Sequence, residues 1–495
     1  MLQLYNDIIL LILEEFQDDV KSLFSCLLVN KTWCEAVVPI LWKNPSKQFL
    51  PADESLKILF NVILSHLSEE SRDNVKNQGI DLFMKEFEFQ RPLFNYINFW
   101  KHLNLYFLKY MISKNVTRIE MSNRYIVGNE VLKLFINNNT KFVSLSIPKM
   151  NFFHISGSEN CFSELEHFHC DNNIDSNILE RLAIVNTSIK KLTFECNSTI
   201  NHGIVRFIEI QKNLKEINLT STKGSEIYRQ SLEELLIKCA DTVQHLKINW
   251  NPVTKFLSYL VNLVSLEIIN YNDCFFKINE NHLEKVSLPH LKFLKVQSIS
   301  SNILTNIIEN TKGYLIEITI LHQNEDDGKL IQKIYQNCPK LNYLRLSLYN
   351  SDISEFQNLL KSCRFLIGLE IVDVSVEWNE LFDVLTRFSP TSLFKFKFSA
   401  EYFIWEHKLE SLKSFLDTWK DRPSMLLQIS ITGLRGFTSS KIPWQHHQQE
   451  PRRRLEALLR RYRTYGVIKR YEIGGIDFED FEWIQKRTPT YTLIV

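Results

Sequence analysis

Residue types that do chemistry are plentiful in this chain of 495 residues, but few stand at the spacing that chemistry needs. His446-His447 with Glu450 offers metal-type ligands, yet the stretch is polar and loop-like and brings no supporting partner, so no metal is expected there. Asp477, Glu479, Asp480 and Glu482 form an acidic run without the glycine and alternation of a calcium loop. The nine cysteines are scattered, none in a C-x-x-C pair, and Cys170, Cys239, Cys338 and Cys363 stand where a core or helix end takes a small apolar residue. They are expected as reduced, packed thiols. The G-x-x-x-x-G-K loop, the G-x-G-x-x-G turn, the G-x-S-x-G elbow and the H-E-x-x-H helix are all absent. No catalytic residue, metal site or cofactor is expected, and the chain reads as a non-enzyme.

One charge run is conspicuous. Arg452-Arg453-Arg454, then Arg460, Arg461 and Arg463, fall on a helical pattern whose buried stripe is Leu455, Leu458, Leu459 and Tyr462. Such a helix can meet phosphate or an acidic partner. Acidic residues from Glu472 to Glu482 follow it closely, and the formal net charge of the whole chain is only +1. A basic excess supplies most of the affinity of a nucleic-acid binder. The expectation is therefore a solvated face, with no nucleic acid and no membrane as partner.

What remains is recognition, and a repeat supplies the surface. Leu-x-x-Leu-x-Leu, with Ile, Val, Phe or Met substituting, recurs every 20 to 30 residues, the period of leucine-rich repeats. The copies begin at Val116, Phe142, Leu165, Ile189, Leu214 and Val243, and continue at Leu263, Leu291, Leu315, Leu341, Leu366 and Leu393. A thirteenth is read at Leu426/Ile429/Ile431 and a weaker one at Ile468/Tyr471/Ile473. Helical stripes such as Ile178 to Ile184, Leu232 to Ile237, Leu330 to Tyr335 and Phe356 to Leu360 lie between copies. Each unit is thus a strand plus a helix that cannot bury its own apolar face, so neighbours stack. The fold class expected is α/β, a leucine-rich-repeat horseshoe solenoid with parallel strands inside and helices outside, preceded by a small all-α module. Only Asn173, Asn197 and Asn251 stand where a backbone-bonding asparagine would sit, so an irregular turn ladder is expected.

Strand alternation sends the last two leucine positions into the core and leaves the third and fifth on the concave face. Aromatics and arginines dominate interface energetics. The target-binding residues expected there are Phe293, Tyr343 and Arg345, with Lys295, His169 and Lys247.

The first forty-odd residues form a different element. Asn6-Asp7 can cap a helix with Ile8, Leu11 and Ile12 on its stripe; Asp18-Asp19 starts a second, with Leu23, Phe24, Leu27 and Leu28 on one side and Asn30 as its stop. A third runs from Thr32 to about Val38, ahead of Pro39. Forty residues cannot bury three such stripes alone, so apolar surface must face a neighbour. The passage Leu28-Val29-Asn30-Lys31-Thr32-Trp33 and the closing Leu41-Trp42 resemble an F-box, with Tyr5 standing where that family has proline. Asn337-Cys338-Pro339-Lys340-Leu341 resembles the helix-to-strand junction of F-box leucine-rich-repeat proteins, and the whole is similar to fungal members with irregular repeats. The resemblance implies that Leu4, Ile8, Ile12, Leu27, Val29, Trp33, Leu41 and Trp42 dock on the Skp adaptor of a cullin-RING ubiquitin ligase. The chain would then be the substrate receptor of a Skp-cullin-F-box (SCF) ligase for an unknown protein target; the alternative is a repeat scaffold without ligase association.

Four segments follow from this reading: residues 1–45, an F-box-like module; 46–115, a helical linker and cap with dense aromatics; 116–435, the repeats; and 436–495, an irregular C-terminal repeat with the basic helix. Hydrophobic residues at 44% and charged ones at 23% fit a soluble folded protein. The apolar run from Ile8 to Leu13 is flanked by Asp7 and Glu14-Glu15, unlike a signal peptide, and no stretch approaches the roughly 18 apolar residues of a membrane span. A cytoplasmic or nuclear location is expected.

Overall fold

The structure is a computed structural model that describes residues 6–17, 19–48, 53–80, 92–116, 121–148, 155–196, 201–221, 226–269, 282–284, 286–321, 328–401, 408–432 and 449–474. It divides into two compact units, Met1–Tyr228 and Arg229–Val495.

The first unit opens with helices α1 (Asn6–Glu15), α2 (Val20–Leu27) and α3 (Lys31–Leu41). Asp19 caps α2 by accepting from the Ser22 amide at 3.1 Å, and Asn30 caps α3 by accepting from the Trp33 amide at 3.0 Å. Asn30 therefore starts the third helix instead of stopping the second, and α3 runs through Pro39 to Leu41. Ile9, Leu13, Leu23, Val37 and Leu41 form the module's small core. Strands β1 (His102–Asn104), β2 (Ser144–Ile147), β3 (His167–Asp171), β4 (Lys191–Cys196) and β5 (Glu216–Ser221) follow, each parallel to the next. Helices return the chain between them, as a parallel sheet requires.

The second unit repeats the scheme with β6 (His245–Ile248), β7 (Ser265–Ile268), β8 (Phe293–Gln297), β9 (Glu317–Leu321), β10 (Tyr343–Tyr349), β11 (Gly368–Ser375), β12 (Lys395–Glu401), β13 (Met425–Thr432) and β14 (Ile468–Ile473). They too are parallel and in chain order. In each unit the result is the expected α/β leucine-rich-repeat array. Leu341, Leu344 and Leu346, the three pattern leucines of one copy, are fully buried, and the equivalent triplets of neighbouring copies stack on them.

The structure corrects the repeat boundaries in two places. The first strand is His102–Asn104, and Met121, read as the end of the first copy's strand, instead opens a helix, Met121–Phe135. The true first copy is Trp100-x-x-Leu103-x-Leu105, with tryptophan in the leading position and all three side chains buried. In the thirteenth copy, Phe396 and Phe398 pair with Leu427 and Ile429, two residues earlier than the sequence register. The fourteenth keeps its expected register, Tyr471 and Ile473 opposite Leu427 and Ile429. Ahead of β1, Glu69–Asn77 forms a helix that Ser68 caps.

Amides that tie repeats together stand at the helix-to-strand turns. Asn186 donates to the carbonyls of Leu165 at 2.9 Å and Ser163 at 3.1 Å, and Gln211 one repeat on donates to Asn186 at 3.1 Å and accepts from Ile189. Asn197 lies outside the described residues. At Asn173 the backbone amide donates to Asp171, and among the described residues the buried Oδ1 of Asn251 accepts no hydrogen bond. Among the described residues neither side chain makes a ladder bond, in line with the irregular turn ladder expected.

Candidate functional site

Two surfaces hold the expected binding residues. The first is the N-terminal module. On α1, Ile9 and Leu13 point into the core, which leaves Ile8, Leu10 and Leu11 outside; Leu11 is 63% exposed. On α2, Leu23 is the inward anchor, while Phe24 at 53% faces outward, followed just past the helix end by Leu28 at 88% and Val29 at 58%. A helix that is apolar beyond one face leaves surplus surface when it has only one neighbour to pack against. Of the residues expected to dock, Ile8 and Val29 are exposed, and Ile12, Leu27, Trp33 and Trp42 are half-buried. Leu41 is not available: it is 5% exposed in the module's own core. Trp42 is partly occupied as well, its ring 4.3 Å from that of Tyr96. The adjoining Lys43 carbonyl accepts from the Lys101 amide at 2.9 Å, which anchors the module beside β1. Leu4 and Tyr5 lie outside the described residues. Leu11, Phe24 and Leu28 belong to this surface too; their exposure follows from which faces α3 covers.

The second surface is the strand face of the second unit. Its fifth positions are Lys247, Glu267, Lys295, Thr319, Arg345, Glu370 and Lys397 in continuous register. Glu267 sits between Lys247 at 2.8 Å and Lys295 at 3.2 Å. Burial pushes its carboxyl pKa up, and the charges and hydrogen bonds of Lys295 and Lys247 outweigh this, so the net shift is downward. Glu370 sits between Arg345 at 3.2 Å and Lys397 at 3.4 Å, and accepts from the Tyr343 hydroxyl at 2.8 Å. The expectation of an exposed aromatic at 343 is corrected: Tyr343 is 4% exposed, lying in register between Glu317 and Gly368 with its hydroxyl held by the buried Glu370. Phe293 is half-buried. Lys247, Lys295 and Arg345 have partly exposed side chains.

His169 lies in the first unit, apart from that row. It is nearly buried, stacked on Tyr106 with ring centroids 5.6 Å apart, and its Nε2 is 3.4 Å from Glu195. Tyr106 donates to Asp171 at 2.9 Å; burial and then that carboxylate push its phenol pKa far up.

An open depression of about 620 Å³ at the leading ends of β6 to β9 is lined by residues such as Asp241, Asn262, Lys292 and Tyr314, and by none of the expected binding residues. Cys338 and Cys363 are buried thiols whose pKa values burial pushes up, Cys363 to about 12, and both are free, as are Cys26, Cys34, Cys161, Cys170 and Cys239. Among the described residues no group of three or more His, Cys, Asp or Glu is placed to hold a metal, and no helix is long and apolar enough to cross a membrane. His446-His447 and the run from Asp477 to Glu482 lie outside the described residues.

Sequence comparison finds no matching protein-family model and no matching curated protein. Among solved structures, the chain is similar to one in the crystal structure of the Rad7 and Elc1 complex in yeast, at 16% identity and a TM-score of 0.37, covering 84% of this chain and 97% of that one.

Proposed function

We propose that this chain is a non-catalytic substrate receptor of a Skp-cullin-F-box type ubiquitin ligase. The helical module holds the Skp adaptor and the strand face holds a protein target. The observation that carries the reading is the apolar surface of α1 and α2, where Leu11, Phe24, Leu28 and Val29 are each more than half exposed while Ile9, Leu13 and Leu23 already satisfy the module's core. Burying one such side chain in a partner's groove contributes about 1.5–3 kcal/mol, so a few anchors suffice for specific docking. Holding a target beside the ubiquitin-charged enzyme raises its effective concentration, which requires no catalytic group on the receptor.

The test is direct binding of the full chain to a purified Skp adaptor. Leu11→Asp with Leu28→Asp is expected to reduce binding at least 100-fold with the circular dichroism spectrum unchanged. Binding that is absent in the wild type, or untouched by this pair and by a Leu27/Trp33 double alanine variant, replaces the ligase reading with that of a scaffold.

A further inference from the structure

On the strand face of the second unit the fifth-position row places a cation on every second strand: Lys247 on β6, Lys295 on β8, Arg345 on β10 and Lys397 on β12. Each outer gap is filled by a carboxylate that touches both flanking cations, Glu267 in one and Glu370 in the other. The middle gap holds Thr319, which carries no charge. All three gaps have the same register, with flanking Cα atoms about 10 Å apart. The two filled gaps therefore demonstrate that one carboxylate at this spacing reaches both neighbours. Lys295 and Arg345 spend their ion pairs outward, on Glu267 and Glu370, and the buried Nε of Arg345 donates to nothing among the described residues. Glu317, two residues earlier on β9, belongs to the third-position row and is 8% exposed.

We propose that the gap over Thr319 seats a carboxylate side chain of the target, carried on an extended acidic segment that crosses β8 to β10. The incoming carboxylate accepts from Lys295, Arg345 and the Thr319 hydroxyl and completes the alternation of charge. The inference rests on the strand face being the target surface, and it names the class of target.

The probe is a fluorescein-labelled 12-residue peptide with Glu at every third position and Gly or Ser between, a spacing of about 10 Å when extended. Its anisotropy is read against the full chain at low salt, beside the same peptide with Gln for Glu. The Glu peptide is expected to bind and the Gln peptide to bind at least 10-fold more weakly. Thr319→Glu fills the gap from within: it is expected to weaken the Glu peptide at least 10-fold and to raise the melting temperature by about 2 °C. Thr319→Gln is expected to bind as the wild type does, and Lys295→Ala with Arg345→Ala to bind at least 10-fold more weakly. Equal binding of the two peptides overturns the proposal, as does undiminished binding by both Thr319→Glu and the double alanine variant. Adaptor binding measured on the same proteins separates the two ideas: its absence in the wild type removes the ligase reading and leaves a Thr319-dependent peptide site standing.

Discussion

His102 in β1 is held neutral: burial first, then the charges of Lys43, His167 and Lys47, lower its pKa from 6.5 to about 4. In the unfolded chain this imidazole binds a proton near pH 6.5, whereas in the folded chain it does so only near pH 4. Stability is therefore complete above pH 6.5 and falls as pH drops toward 4, by about 3 kcal/mol at most from this group. Urea denaturation across that window should show the loss, and His102→Gln should flatten the slope. Glu233 in the second unit is fully buried and accepts from Trp250 Nε1 at 2.9 Å and from the amides of Val253 at 3.0 Å and Thr254 at 2.7 Å. Burial raises its carboxyl pKa in spite of these bonds. It fixes the turn after β6, where a 3-10 turn, Phe256–Tyr259, takes the place of a longer helix. Glu233→Ala would strand the buried Trp250 Nε1 and the half-buried donors of Val253 and Thr254 and should cost about 3 kcal/mol by urea midpoint, with Glu233→Gln costing less. The sequence shows Glu233 only as one of two acids in a helical stripe. Nothing in a 3.6-residue period pairs it with Thr254.

At the scale of elements, the N-terminal module separates two roles on the same helices. Leu23 is buried against α3 and Leu28, five residues on, is 88% exposed. Leu23→Ala should destabilise the module by about 3 kcal/mol, seen as loss of amide protection over α1 to α3. Leu28→Asp should leave that protection intact and act on partner binding alone. The helices themselves were legible from their apolar spacing and, at Asp19, from a polar start, whereas Asn30 was read as a stop and caps the third helix instead. Which apolar residues are spare was not, since that depends on how little of α1 and α2 the third helix covers. The first repeat strand was missed for a narrower reason: Trp100 fills a place where the pattern admitted only aliphatic residues, Phe or Met, although the bulk of tryptophan buries equally well there.

For the molecule as a whole, repeats that touch only their neighbours make stability nearly one-dimensional. Leu344→Ala, at the centre of β10, should cost about 3 kcal/mol, and hydrogen exchange should rise in β9, β10 and β11 while the strands of the first unit keep their protection. The same one-dimensional register turns scattered charges into a row. Lys247, Glu267 and Lys295 lie 48 residues apart from first to last, yet stand on adjacent strands.

The sequence by itself determined the repeat, because a buried side chain every second residue of a short strand leaves an apolar signature that survives substitution. It determined eleven strands, from β2 to β12, in their observed register, the helical stripes between them, and the three helices at the start. Only the tertiary structure decided which members of the third- and fifth-position rows are accessible. Stacking in register buries Tyr343 and pairs Arg345 with Glu370, whereas the same stacking sets the uncharged Thr319 between two cations. Exposure and charge balance on such a face are properties of three strands at once, and a pattern read along one strand does not contain them.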